Sequence, residues 1–326
     1  MNRRNILITG GAGRLGTYVI EKLNKHNITL TVVNKTEMNK LKDYEVILID
    51  LTDKNKLKEI RFDYDIVVHL AGLVDYTSPY EKLYKVNVLA TRNLVERTLH
   101  VPMFVHTSST SVYGKDVKNP VKETAVTRPD SYYGKTKLLS EDEVRVRTLG
   151  KEKNKTIIFR PAMLYGKGFD EGYAFVVEKL MNGRYRIIGD GKNHVPILHA
   201  EDAATAYERV VRRFSQNELT GLKIMNLSCE QTPTQDQLIA IICKVLGVRF
   251  PEKHVPVWQA KLTAKIYEVV YKLRCKPVPL SEYINKLASD RIFDVSKAKK
   301  LLGFKPKKEI EEGIREAVQT ILPSIH

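Results

Sequence analysis

The sequence predicts a doubly wound α/β fold, a parallel sheet covered by helices on both faces. Three observations predict it. Short, continuously apolar β-branched runs alternate with helical patterns through the first half of the chain, which is how strands buried on both faces read. The first of these runs leads directly into a glycine-rich turn and an amphipathic helix. At 326 residues, 43% apolar and 28% charged, the chain buries a large core, and this composition excludes disordered, fibrous and disulfide-stapled classes.

In order, residues 6–8, 30–33, 46–49, 66–70 and 103–107 read as strands, with the first helix starting near Leu15. A further strand over 156–160 is expected to close the sheet. After Pro161 the alternation weakens and Gly and Pro punctuate the chain, so residues 1–165 read as the nucleotide-binding domain. Residues 166–326 read as a smaller, mostly helical substrate-binding region, interleaved with the first because its strands return to the main sheet. Helices are predicted over 235–246, 258–273 and 308–322. The second of them places Leu262, Ile266, Val269, Val270 and Leu273 on one face, with Lys261, Lys265 and Lys272 elsewhere. Its apolar face is expected to pack over the substrate pocket, with weak peripheral membrane contact as the alternative.

Lys and Arg number 54 against 38 Asp and Glu, a net charge of +16, which calls for an acidic partner without naming it. The excess is spread through the chain, so no nucleic-acid stripe is encoded. Cys229, Cys243 and Cys275 form neither a disulfide framework nor a zinc pattern, and the chain reads as reduced and cytoplasmic. No run is long enough to span a membrane and none reads as a secretory signal. His69, His106 and His199 lie in or beside apolar segments and are expected to be structural, with no metal site.

Thr9-Gly-Gly-Ala-Gly-Arg-Leu-Gly16 joins the first strand to the first helix. Gly10 permits the tight turn, Gly13 lets backbone approach a pyrophosphate, and Gly16 seats the helix close to the sheet, with phosphate held at the helix N-terminus. This is dinucleotide chemistry in a Rossmann-type sheet, although the spacing is G-x-x-G-x-x-G rather than G-x-G-x-x-G. An acidic residue after the second strand would bind the ribose of NAD; here stand Asn34 and Lys35, which accept a 2′-phosphate. NADP is therefore expected ahead of NAD, with Arg14 as a second cation.

Tyr133-Gly-Lys-Thr-Lys137 puts a phenol and an ammonium one helical turn apart. A cation beside tyrosine stabilises phenolate, so Lys137 is expected to bring Tyr133 toward proton exchange at neutral pH, as hydride transfer at an alcohol or ketone requires. Thr107-Ser-Ser-Thr-Ser-Val-Tyr-Gly114 ends a buried strand with hydroxyls, where open α/β sheets bind ligands. Ser109 is placed to donate to the reacting oxygen.

Taken with Asp50-Leu51, His69-Leu-Ala-Gly72, Asn87-Val-Leu-Ala-Thr-Arg-Asn93 and Arg160-Pro-Ala-Met-Leu-Tyr-Gly166, these motifs resemble the extended short-chain dehydrogenase/reductases over nearly the whole chain. The resemblance implies Tyr133 as acid/base, Lys137 on the nicotinamide ribose and Ser109 on the substrate oxygen. It also implies Asp50 and Leu51 at the adenine, Leu70, Ala71 and Gly72 lining the cofactor, Asn87 near it, and Pro161 and Leu164 flanking the nicotinamide along with Gly10, Gly13, Arg14, Leu15 and Gly16 on the phosphates. Ala71-Gly-Leu-Val-Asp-Tyr76 and Asp290-Arg-Ile-Phe-Asp-Val-Ser-Lys-Ala298 look like the 3β-hydroxysteroid dehydrogenase and dihydroflavonol reductase branch. The expected activity is interconversion of a secondary alcohol and a ketone on a small molecule. A nucleotide-sugar epimerase or dehydratase that retains NAD is the rival, and an NADP-sensing binding protein is a reading of another class. Arg184, Arg186 and His194 are candidates for substrate phosphates, and the chain is expected as a monomer or homodimer.

Overall fold

The computed structural model describes residues 3–32, 41–149, 153–169, 171–273 and 280–325. Seven parallel strands form the central sheet in the order β10-β6-β5-β4-β1-β2-β3. They are β1 (Asn5–Thr9), β2 (Asn27–Val32), β3 (Glu45–Leu48), β4 (Ile66–His69), β5 (Met103–Thr107), β6 (Lys155–Pro161) and β10 (Gly221–Leu227). Alternate side chains of each strand enter different cores, which is why the runs are continuously apolar. Ile6, Ile8, Val68, Val105 and Ile157 join one cluster with α1 (Arg14–Leu23), whereas Leu7, Val67, Phe104 and Ile158 join another under the helix carrying Leu94.

The remaining helices on the first half are α2 (Lys54–Lys58), α3 (Tyr80–Tyr84), a π-helical turn at Lys85–Leu89, α4 (Ala90–Arg97) and α5 (Tyr132–Arg145). Strand β6 does not close the sheet. The chain leaves it at Pro161 and returns as β10, paired in register from Gly221 opposite Lys155 to Leu227 opposite Pro161. The chain beyond Pro161 thus supplies the outermost strand of the main sheet.

That region contains β7 (Met163–Tyr165), α6 (Glu171–Met181), β8 (Ile187–Ile188), β9 (Ile197–His199), α7 (Ala200–Arg212), α8 (Gln235–Leu246), β11 (His254–Val255), α9 (Val257–Leu273), α10 (Leu280–Ala288), α11 (Ser296–Leu302) and α12 (Ile310–Ile325). Its own core gathers Tyr165, Val177, Leu238, Ile242, Ile314 and Val318. Helix α8 has the predicted bounds because Thr234 and Gln237 form a capping box at its start and Gly247 ends it in the left-handed conformation.

Helix α9 also forms where expected, but its faces are reversed. It buries Ala260 and Ala264 and packs beside α10, while Trp258, Leu262, Ile266 and Val269 face solvent. The side chains of Val270 and Leu273 lie outside the described residues. Among the described residues, no helix is long and apolar enough to cross a membrane.

Candidate active site

The candidate cofactor cradle is set by missing side chains. A Cβ on Gly16 would lie 2.4 Å from the carbonyl oxygens of both Gly10 and Gly11, and one on Gly10 would lie 2.6 Å from the Ala71 nitrogen. Gly10 is held at φ +72°, and its carbonyl accepts the Gly13 N–H at 3.0 Å. Helix α1 then starts at Gly13 with no side-chain cap and no acidic residue in its first turn, leaving donors and the positive end of the helix dipole for an anion. Such a loop fits a dinucleotide pyrophosphate. Gly13 and Arg14 are exposed and Leu15 is partly buried, as ligand contact requires. Asn34 and Lys35 lie outside the described residues.

Beyond β4, Leu70 and Ala71 are partly buried and Gly72 is exposed. The rim is fixed by Asn87, whose Oδ1 accepts from the Leu73 nitrogen at 2.7 Å while its Nδ2 donates to Leu73 O and Thr136 Oγ1, each at 3.1 Å. All of its amide is spent on this clamp, so Asn87 shapes the rim from behind. At the end of β3, the exposed Asp50 accepts the Thr52 N–H at 2.8 Å, whereas the Leu51 side chain is core and only its backbone, held by Asn93 at 3.0 Å, faces that edge. Pro161 is buried at the end of β6, and Leu164 packs against the first core cluster.

Tyr133 and Lys137 stand one turn apart on α5, whose start is fixed by Ser131 Oγ accepting the Gly134 N–H at 3.0 Å. Both side chains are buried. The Ser109 hydroxyl lies close enough to the Tyr133 phenol to lower its proton affinity and sits 3.2 Å from Ser111 Oγ, so the three expected residues gather on one side of the sheet end. The Lys137 ammonium points toward Gly72, where an added Cβ would meet it at 3.6 Å. Burial brings this ammonium down to about 8, with the Glu141 carboxylate partly offsetting the fall.

The electrostatics differ from the sequence expectation. Burial pushes the Tyr133 phenol above its ordinary value, Tyr76 pushes it further, and only the Ser109 hydroxyl pulls it down. The Lys137 charge acts instead on His69 and His106, two stacked imidazoles that burial already keeps neutral. His69 bonds Thr9 at 2.7 Å and Thr91 at 2.8 Å, and His106 bonds Ser140 at 2.9 Å. His199 caps α7. These are structural roles, and among the described residues no cluster of His, Cys, Asp and Glu could hold a metal.

Sequence reasoning missed the mouth of the site. The Tyr76 ring meets Tyr133 edge-on at 5.1 Å, and Lys286 of α10 lies 3.4 Å above the centre of the Tyr76 ring. The loop presenting Tyr76 is staked by Asp75, whose carboxyl is raised by burial but held at about 2 by stronger hydrogen bonds from Ser78 and Thr77. Next to Lys286, Arg291 has a buried Nε without a partner, and both line a small pocket with Ser111, Lys115, Asp130 and Ser131. Three cations against one carboxylate make this pocket anion-seeking. Arg291 was visible in the motif at 290–298, but nothing local said that it joins Ser111 and Ser131 in one pocket. Arg186 spends its guanidinium on the Gly183 and Tyr185 carbonyls, and His194 pairs with Asp290 at 2.8 Å; neither lines the pocket. Arg184 is exposed and is absent from the pocket as well.

Behind the site, Glu141 accepts from Arg160 Nε at 2.8 Å and Nη2 at 2.6 Å, and from the Ser108 hydroxyl at 2.5 Å. Arg160 also donates to Tyr113 Oη at 2.8 Å, and Tyr113 donates to Asn226 at 2.8 Å. The network ties α5 to β6 and β10.

Comparisons with known proteins bear on the family and the fold. A sequence model of the NAD dependent epimerase/dehydratase family matches residues 6–227. The mouse sterol-4-alpha-carboxylate 3-dehydrogenase, decarboxylating, is 24% identical over 96% of this chain and 90% of its own length. The Escherichia coli O157:H7 N-acetyl-alpha-D-glucosaminyl-diphospho-ditrans,octacis-undecaprenol 4-epimerase is 24% identical over 97% of this chain and 94% of its own. The structure of UDP-glucuronic acid 4-epimerase from Bacillus cereus in complex with NAD superposes with a TM-score of 0.75 at 20% identity, covering 99% of this chain and all of that one. The chain belongs to the NAD dependent epimerase/dehydratase family and is an enzyme of the extended short-chain dehydrogenase/reductase type.

Proposed function

We propose that this enzyme interconverts a secondary alcohol and a ketone on a substrate carrying an anionic group, with Tyr133 as the acid/base. The observation that carries the reading is the grouping of Tyr133, Ser109 and Lys137, linked through Tyr76 and Lys286 to a pocket where Arg291 Nε is buried without a partner. Bound nicotinamide supplies hydride chemistry at the substrate carbon. On the oxygen, Ser109 Oγ donates a hydrogen bond and Tyr133 Oη transfers the proton. Burial holds the phenol protonated, the form that donates to a ketone oxygen, and the same group accepts the proton back in the reverse reaction. Lys137, whose ammonium lies at the Gly72 edge, would hold the cofactor ribose, and Arg291 with Lys286 would fix the substrate anion, which water would otherwise solvate. Relatives named for a sterol carboxylate and for a diphospho-linked sugar support an anionic substrate.

Within this reading the cofactor is exchangeable NADP, whose 2′-phosphate the side chains of Asn34 and Lys35 would accept by their chemistry. The second reading, a nucleotide-sugar epimerase that keeps NAD, is favoured by the cationic pocket, since a diphosphate would fill it as well as a carboxylate. Mass spectrometry of the purified protein separates the two: retained NAD with turnover needing no added cofactor turns the assignment to the epimerase. For the reductase, NADPH binds more tightly than NADH and Lys35→Ala removes the difference. Tyr133→Phe lowers turnover by about 10²–10⁴-fold with cofactor affinity intact; unchanged turnover refutes the mechanism.

A further inference from the structure

We propose that helix α9 docks this enzyme on the surface of an anionic lipid bilayer. Trp258, Leu262, Ile266 and Val269 are 65%, 55%, 59% and 61% exposed, each far more than a side chain needing a dry environment tolerates. At 100° per residue they fall within about 80° of helix arc, one continuous stripe along the outer face. The helix is held from the other side, by buried Ala260 and Ala264 and by Glu268, which accepts the Ser281 N–H at 2.7 Å and the Ser281 hydroxyl at 2.9 Å. Among the described residues nothing covers the stripe, yet its residues are large and apolar.

Charge selects the occupant. Lys261 and Lys265 flank the stripe along one edge, and Gln259 and Thr263 flank the other. The only acidic residue in the sequence of the helix is Glu268, committed to Ser281. A second copy laid on this stripe would bring no carboxylate from α9 to answer the lysines, whereas anionic headgroups answer both while acyl chains take Trp258, Leu262, Ile266 and Val269. The helix then lies in the plane of the interface. Docking there also places the catalytic mouth near the bilayer, because α10, packed beside α9, carries the Lys286 that covers Tyr76.

The protein contains one tryptophan, and it lies in the stripe, so its emission reports on this face alone. The full-length protein is titrated with vesicles of phosphatidylcholine and phosphatidylglycerol. Trp258 emission shifts to the blue and is quenched by lipids brominated on their acyl chains, and the protein sediments with the vesicles. Leu262→Gln/Ile266→Gln abolishes both effects with an unchanged urea midpoint. Lys261→Gln/Lys265→Gln weakens binding about thirtyfold on the anionic vesicles, from two lysines at a charged surface. Unshifted emission with the protein left in the supernatant overturns the proposal. So does a blue shift that grows with protein concentration without lipid, with a sedimenting dimer that Leu262→Gln/Ile266→Gln dissociates, because the occupant is then a second copy. None of these outcomes depends on turnover, so the reductase assignment stands or falls separately.

Discussion

Replacing Glu141 with glutamine tests how far the site rests on one buried carboxylate. Glu141 and Arg160 are both fully buried, joined by two hydrogen bonds at 2.8 and 2.6 Å, with the Ser108 hydroxyl closing on the same carboxylate at 2.5 Å. Glutamine keeps the shape and one acceptor but sets an amide NH₂ against a guanidinium whose charge is left unmatched. Breaking a buried pair from one side costs about 3–5 kcal/mol. Because Tyr113 still accepts from Arg160 and one oxygen remains, the lower end, about 3 kcal/mol, is expected in urea unfolding at pH 7. Against a domain stability of about 5–15 kcal/mol, the loss is plain to measure. Glu141→Gln/Arg160→Met, which removes both charges, recovers part of it. The same substitution deletes the one charge that raises Lys137, so that ammonium falls further from its ordinary value. A loss below about 1 kcal/mol, the scale of an exposed ion pair, refutes the reasoning, as does a double variant no more stable than the two single losses summed.

Three further outcomes follow from the geometry. Gly16→Ala drives a methyl into two loop carbonyls at 2.4 Å, which costs about 1–3 kcal/mol of stability and weakens dinucleotide binding by calorimetry; unaltered affinity would show that the loop is not the cradle. Asn87→Ala leaves the Leu73 N–H without its acceptor and costs about 1–3 kcal/mol in thermal or urea unfolding. Lys137→Met changes the pH dependence of stability. The native ammonium loses its proton near 8 and the unfolded one near 10.5, so across that window the unfolded chain holds more protons and stability rises with pH. The rise is about 3 kcal/mol, and subtracting the Lys137→Met curve from the wild-type curve isolates it from the buried tyrosines; parallel curves would contradict it.

The sheet was legible because each strand announces itself locally: Ile6 to Ile8, Ile66 to Val68 and Phe104 to Val105 are apolar at every position since both faces are covered. The glycine loop was legible because its backbone demands reside in Gly10 and Gly16 themselves. Strand β10 was placed only loosely, since its partner Lys155–Pro161 is distant in sequence and pairing across such a gap leaves no periodic signal. Helix α9 shows the same limit from the other side. Its periodicity fixed an amphipathic helix, but periodicity does not say which face is buried, and two alanines took the core side.

The sequence by itself determined the alternation of strands and helices, the glycine-rich turn and the one-turn spacing of Tyr133 and Lys137, because each is a matter of neighbours along the chain. Only the tertiary structure decided that Tyr133 is held neutral by burial and Tyr76, that Lys137 faces Gly72 and two silent histidines, and that Arg291 and Lys286 arrive from the far end of the chain to form an anion-seeking mouth. Burial and long-range approach set proton affinities and pocket charge, and neither exists until the chain has folded.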